Sequence, residues 1–190
     1  FYQFHEFQEH FNQFIEAQRL AGDPPIELPF ANDLSRRFLQ ANFSQRETEQ
    51  FIALFYQLHR GFYFISAAIS GDCPAIIELR MRLWNNIFTF NPQWYMDYLC
   101  GQMEDFSTLL LGETGTGKSL VAHAIGCSGF IPFDLHKRCF KESFMRSFQS
   151  INLAQYPDSL LESELFGHKK GAFTGAIEHH QGLFARCSEY

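Results

Sequence analysis

Gly112-Glu113-Thr114-Gly115-Thr116-Gly117-Lys118-Ser119 fills the pattern G-x-x-x-x-G-K-[ST] at every position. The glycines let the backbone curl with its N–H groups pointing inward. A helix starting near Lys118 aims its positive dipole end at the same place. Lys118 is expected to reach the β- and γ-phosphates of a nucleotide, and the Ser119 hydroxyl to ligate Mg2+. On average residue usage, chance matches arise in on the order of one percent of chains this long. The competing reading is a Gly-rich turn without a ligand. Even a true phosphate loop does not name the reaction, since small-molecule kinases and mechanical ATPases share it.

A second constellation narrows the choice. Gly171-Ala172-Phe173-Thr174-Gly175-Ala176 sets an aromatic and a hydroxyl between small residues, straight after His168-Lys169-Lys170. Glycines on both sides allow a tight, exposed loop. A Phe at such a tip has no folding rationale, which points to contact with a partner. A connector whose Phe folds back onto the core is the alternative.

These residues need elements to hold them. Phe4, Phe7, Phe11 and Phe14 recur at spacings of three, four and three, one apolar stripe of an amphipathic helix. Gly22-Asp23-Pro24-Pro25 stops it. A short helix is expected around Leu34 to Leu39. Ser44 and Glu47 read as a capping box, with Phe51, Leu54, Phe55 and Leu58 as the buried face of a helix ending at Gly61. Phe62 to Ile69 fits helix or strand. Asp72 is a candidate cap for a helix from Ile76 to Phe88, and a second short helix follows Asn91-Pro92. The pattern changes at Phe106: Phe106 to Leu111 predicts a buried strand, Lys118 to about Ile125 a helix, and Phe148 to Leu153 a second strand. Another helix opens at Pro157-Asp158-Ser159, with Ser159 and Glu162 repeating the capping box and Gly167 closing it. The first hundred residues therefore read as mainly α, the remainder as the start of an α/β sheet.

Composition excludes several classes. The 190 residues are 46% hydrophobic and 19% charged, below the roughly 25% charged of an average globular protein, so bulk disorder is not expected. No apolar run is long enough to span a membrane. The N-terminus lacks the basic and apolar regions of a signal peptide, and its missing Met suggests a fragment. A net charge of -6 argues against duplex DNA binding through these residues. Five cysteines, widely spaced and without C-x-x-C, fit small buried hydrophobes in a reducing cytoplasm better than a disulfide framework or zinc site. Phe is abundant at 23 residues while Val121 is the sole valine, which leans the chain toward helix.

The run Glu162-Ser163-Glu164-Leu165-Phe166-Gly167-His168-Lys169-Lys170, continuing through Gly171 to Ala176, resembles the signature of the sigma-54-dependent AAA+ transcription activators, and Gly112 to Lys118 also matches that family. The resemblance is firm from Phe106 to Cys187 and thinner over Leu83–Phe90 and Tyr95–Met103. It implies an α/β chain: an incomplete P-loop AAA+ three-layer parallel-sheet domain over 71–190, preceded by a mainly helical N-terminal region, 1–70, of unknown role. It implies a cytoplasmic, hexameric ATPase that couples ATP hydrolysis to remodelling of the sigma-54 RNA polymerase holoenzyme. Gly112, Glu113, Thr114, Gly115, Thr116, Gly117, Lys118 and Ser119 would hold ATP, with Ser119 on Mg2+. Gly171 to Ala176 would contact sigma-54, with Phe173 and Thr174 at the tip. Asn152 matches the position that senses the γ-phosphate; an Asn satisfying a strand-end turn is the other reading. DNA would be bound only through a region outside these residues. Two departures stand out. Ser119 replaces the family's usual Glu, and no aliphatic run ending in Asp-Glu follows Lys118. The chain alone is therefore expected to be inactive, because phosphoryl transfer lacks its water-orienting carboxylate. A P-loop small-molecule kinase and a non-catalytic nucleotide-binding interaction module remain the alternatives.

Overall fold

The computed structural model describes residues 5–100, 102, 106–146, 148–172 and 177–187. They divide into two compact units, Phe1–Phe148 and Gln149–Tyr190. The first is built around aromatic side chains on helices. Helix α1 (Gln8–Ala21) buries Phe11, Phe14, Ile15 and Gln18, and Phe7 is buried just ahead of it. This is the expected stripe, although Phe4 lies outside the described residues. Gly22, with φ 76°, ends the helix. The buried Gln18 amide then stitches the turn: it donates to the carbonyls of Gly22 (3.0 Å) and Pro24 (2.9 Å) and accepts from the amide of Ile26 (3.1 Å). Helix α2 (Ala31–Gln40) extends the short helix foreseen at Leu34–Leu39 and buries Ala31, Leu34 and Phe38.

Helix α3 (Gln45–Ala68) begins on the expected capping box: Ser44 accepts from the Glu47 amide, and the Glu47 side chain accepts from the Ser44 amide. It does not end at Gly61. Helix α4 (Pro74–Phe88) sets the Phe88 ring so close that a Cβ on Gly61 would lie 2.6 Å from it. Gly61 thus serves close helix packing rather than termination, and Phe62 to Ala68 is helical. The expected buried face is also too narrow. Leu54 is buried, but Phe51, Phe55 and Leu58 are only partly covered, while Ile52, Tyr56, Gln57, His59 and Arg60 are buried. The reason is position: α3 touches α1, α2, α4 and the helix that follows the glycine loop. For α4 the N-cap is Cys73 rather than Asp72, with Pro74 in the first turn, where its fixed φ suits a helix start. Asn91 caps the next turn, Pro92–Trp94, by accepting from the amides of Gln93 and Trp94; a π-helical stretch, Tyr95–Leu99, follows.

Helix α5 (Lys118–Gly126) lies where the sequence places it. Strands β1 (Phe133–Asp134) and β2 (Cys139–Phe140) form an antiparallel hairpin pairing Phe133 with Phe140. Their rings complete a cluster with Phe11, Phe14, Tyr56 and Phe144. Tyr56 stacks on Phe140 at 3.9 Å between centroids and Phe11 meets Phe30 edge-on at 5.0 Å. Such pairs add ~1 kcal/mol each beyond the area they bury. This is where much of the Phe-rich composition goes. Among the described side chains, Cys127 is buried, Cys100 and Cys139 are half-buried and Cys73 is exposed, so of these four the expectation of small buried hydrophobes holds fully for Cys127.

In the second unit a 3-10 turn, Leu153–Gln155, precedes helix α6 (Asp158–Phe166). Pro157 is its N-cap, so the helix begins ahead of Ser159 rather than at it. Strands β3 (Gly167–His168) and β4 (His180–Gln181) pair antiparallel, and helix α7 (Leu183–Cys187) closes the unit.

The fold is therefore mixed helical with two small antiparallel sheets. No parallel strand pair occurs among the described residues. Phe106–Leu111 and Phe148–Leu153, read as strands, carry no ladder. Leu109 and Leu111 are 80% and 84% exposed, and an apolar run becomes a strand only when a neighbour takes its backbone hydrogen bonds. Among the described residues no helix is long and apolar enough to cross a membrane.

Candidate functional site

Gly112, Gly115 and Gly117 all have positive φ, at 156°, 85° and 84°. Residues with a Cβ rarely adopt these values. At Gly115 and Gly117 an added Cβ would meet nothing within 4 Å. Backbone handedness, not crowding, is what demands glycine there, and the space beside the loop is open. Between them Thr116 bends back, its Oγ1 donating to the Glu113 carbonyl at 2.8 Å. Gly117 is the N-cap of α5, and the first helical bond runs from the Val121 amide to its carbonyl at 3.1 Å. The amides of the first turn have no acceptor within the helix. They present partial positive charge at the mouth of the loop.

Lys118 folds into the same loop. Its Nζ donates to the carbonyls of Gly112 (2.9 Å) and Glu113 (2.5 Å). The loop is thus closed by its own ammonium, half-buried beside the exposed Ser119. The arrangement offers a cation, a hydroxyl and helix-end amides to one anionic ligand. Among the described residues no group of three or more His, Cys, Asp or Glu could hold a metal. An ion here would take Ser119 together with oxygens of the ligand and water, which is how Mg2+ is commonly held.

The other sequence-predicted residues belong to the second unit. Asn152 is exposed and caps the 3-10 turn, its Oδ1 accepting from the Ala154 amide at 3.1 Å. Gly171 (φ 82°) and Ala172 are exposed and lie at a turn closed by the Ala172 amide on the Lys169 carbonyl. Phe173, Thr174, Gly175 and Ala176 lie outside the described residues.

The sequence reading missed the stem beneath that loop. β3 and β4 pair Gly167 with Gln181 and His168 with His180. The two imidazoles stack at 5.5 Å. Ser163 Oγ lies 2.6 Å from His168 Nδ1, and Glu164 lies 3.6 Å from His180 Nε2. A Cβ on Gly182 would collide with the backbone of Phe166 and Gly167. The glycine pair, Gly167 and Gly182, was the available signal of two segments of the chain crossing closely.

The sigma-54 interaction domain matches residues 99–189. Over 84 residues the chain is 49% identical to the hydrogenase transcriptional regulatory protein HoxA of Cupriavidus necator, covering 44% of this chain and 15% of that protein. It is 43% identical over 111 residues to the regulatory protein AtoC of Escherichia coli, covering 56% and 21%. Against the anaerobic nitric oxide reductase transcription regulator NorR of Vibrio vulnificus it is 48% identical over 83 residues, covering 44% and 14%. The match spans about a fifth or less of each relative's length. No solved structure matches the chain. The glycine loop, the helix it opens and the paired strands β3 and β4 all lie inside the matched segment, and that segment matches part of the AAA+ module of the sigma-54-dependent transcription activators.

Proposed function

We propose that Gly112 to Ser119 binds ATP with Mg2+, and that the chain is the nucleotide-binding part of a regulator that couples ATP hydrolysis to remodelling of sigma-54 RNA polymerase. One observation carries the reading: three left-handed glycines and Lys118 converge on the open N-terminal end of α5. In this reading the amides from Glu113 to Gly117 cradle the phosphates. Lys118 exchanges the Gly112 and Glu113 carbonyls for β- and γ-phosphate oxygens, which as anions make stronger partners for an ammonium. Ser119 places its hydroxyl on Mg2+. Bound ATP supplies the transferable γ-phosphoryl group, and Asn152 would sense its presence. Gly171 to Ala176 would form the contact with sigma-54, with Phe173 as apolar anchor and Thr174 beside it. A hexamer in the cytoplasm is the working assembly, and DNA is reached through a region outside these residues.

The test uses the chain within its complete protein. Thr174→Ala and Phe173→Ala should leave ATP affinity unchanged yet abolish the complex with sigma-54 that forms around ADP and aluminium fluoride. The coupling works because the loop's contacts favour one nucleotide state over another. Wild-type sigma-54 capture by both variants would make the loop a structural connector and remove the partner assignment.

A further inference from the structure

The far end of α5 is held by two buried polar side chains that the nucleotide reading does not use. Gln57 and Arg60 project from α3 one helical turn apart. Arg60 is fully buried, yet among the described residues no carboxylate lies within ion-pair distance of it, and the Glu142 charge favours the guanidinium only from farther away. Its Nη1 donates to the carbonyl of Cys127, the C-cap of α5, at 2.8 Å, and its Nη2 to the carbonyl of Gly129 at 2.6 Å. The guanidinium lies 4.4 Å from the Tyr56 ring centroid. Gln57 donates to the Ser128 carbonyl at 2.9 Å and shares a hydrogen bond with the Tyr95 hydroxyl. Ser128 in turn donates to the Ala124 carbonyl within α5.

A buried charge without a partner ion is strongly unfavourable. Here the carbonyls at a helix C-terminus, the negative end of its dipole, supply the opposite potential. The fork therefore fixes both the position and the end of α5, a helix of nine residues. Its first turn is where Lys118 and Ser119 stand, about 13 Å away at 1.5 Å per residue. Two groups that grip one short rigid helix from opposite ends are linked through it.

We infer that Gln57 and Arg60 are positioning residues for the nucleotide. By clamping the C-terminal end of α5 they hold Lys118, Ser119 and the first-turn amides in register for phosphate. Phosphate binding must then tighten the clamp in return, because coupling between two sites is reciprocal. The inference rests on the phosphate reading of Gly112 to Ser119 and places its support on α3, outside the segment that matches the family.

The test compares the 190-residue chain with Arg60→Lys, Arg60→Met, Gln57→Leu and Lys118→Ala. It measures affinity for a fluorescent ATP analogue and amide hydrogen exchange with and without that analogue. Arg60→Met should weaken binding by about fivefold to tenfold, the lower range of typical coupling. Arg60→Lys, which keeps the charge and loses the fork, should recover part of that loss. In the wild type the analogue should slow exchange at 57–61 and 124–129. A purely structural role would lower the melting temperature and leave both readouts unmoved. If Arg60→Met does not fold, exchange in the unaltered chain decides. The clamp is overturned if the analogue binds the wild type without slowing 57–61, or if folded Arg60→Lys and Gln57→Leu bind it as tightly as wild type. If Lys118→Ala also binds as tightly as wild type, the phosphate reading itself has failed, and the inference falls with it.

Discussion

The two units of this chain handle apolar residues in opposite ways. In Phe1–Phe148 the rings of Phe11, Tyr56, Phe140 and Phe144 disappear into one cluster, each 2% exposed or less. In Gln149–Tyr190 no described large hydrophobic is buried, and Phe166, Ile177 and Phe184 are 68%, 77% and 53% exposed. Stability follows buried apolar contact, and regions with little of it open locally at low free energy. The first unit is thus a scaffold that can fix a glycine loop. The second is a set of short elements with little buried apolar contact.

The contrast breaks first at the core. Phe11→Ala removes a ring with no exposed surface and should cost about 3–5 kcal/mol. Phe184→Ala, on the exposed side of the comparison, should stay within about 0.5 kcal/mol. Urea unfolding followed by circular dichroism checks both; equal effects would mean that the two units do not differ in packing.

Thiol chemistry tests how closed the core of the first unit is, since Cys73 and Cys127 both belong to it. Burial pushes the Cys127 thiol up to about 11, whereas a free cysteine titrates near 8.5. The thiolate is the reactive form, so below its raised value Cys127 is protonated and inert. Its alkylation by iodoacetamide should lag well behind that of exposed Cys73 at pH 8. It should speed up about tenfold per pH unit until the thiol has titrated. Mass spectrometry of quenched samples reads both rates, and simultaneous labelling would contradict a closed core.

Gly61→Ala gives a smaller effect. The new methyl would meet the Phe88 ring at 2.6 Å, and the overpacking should cost about 1–3 kcal/mol despite the better helix propensity of alanine. Thermal unfolding measures it; a stabilised variant would show that α3 and α4 do not approach so closely.

Legibility in the sequence followed the kind of force involved. Local rules worked where a local force decides: the Phe stripe of α1, the Ser44–Glu47 box of α3 and the glycine loop before α5 stand where the spacing places them. They failed where a distant neighbour decides. Gly61 looks like a stop and is a contact point for Phe88. Phe106–Leu111 has the composition of a strand, but pairing is a property of two segments. Arg60 and Gln57 were invisible because periodicity counts apolar residues, and these two are buried through hydrogen bonds to carbonyls some seventy residues away. At the stem, Gly167 read only as the end of a helix, although Gly182, packed against its backbone, marks where the chain crosses itself.

The claim on which the rest depends is that Gly112 to Ser119 holds nucleotide phosphates, and equilibrium titration of the 190-residue chain with a fluorescent ATP analogue in Mg2+ tests it most directly. Lys118 provides the loop's ammonium, and losing a charge-assisted hydrogen bond costs about 1.5–3 kcal/mol. Lys118→Ala should therefore bind at least about tenfold more weakly, with an unchanged circular dichroism spectrum and melting temperature. Equal affinity of wild type and Lys118→Ala, or no saturable binding by folded wild type, would contradict the account.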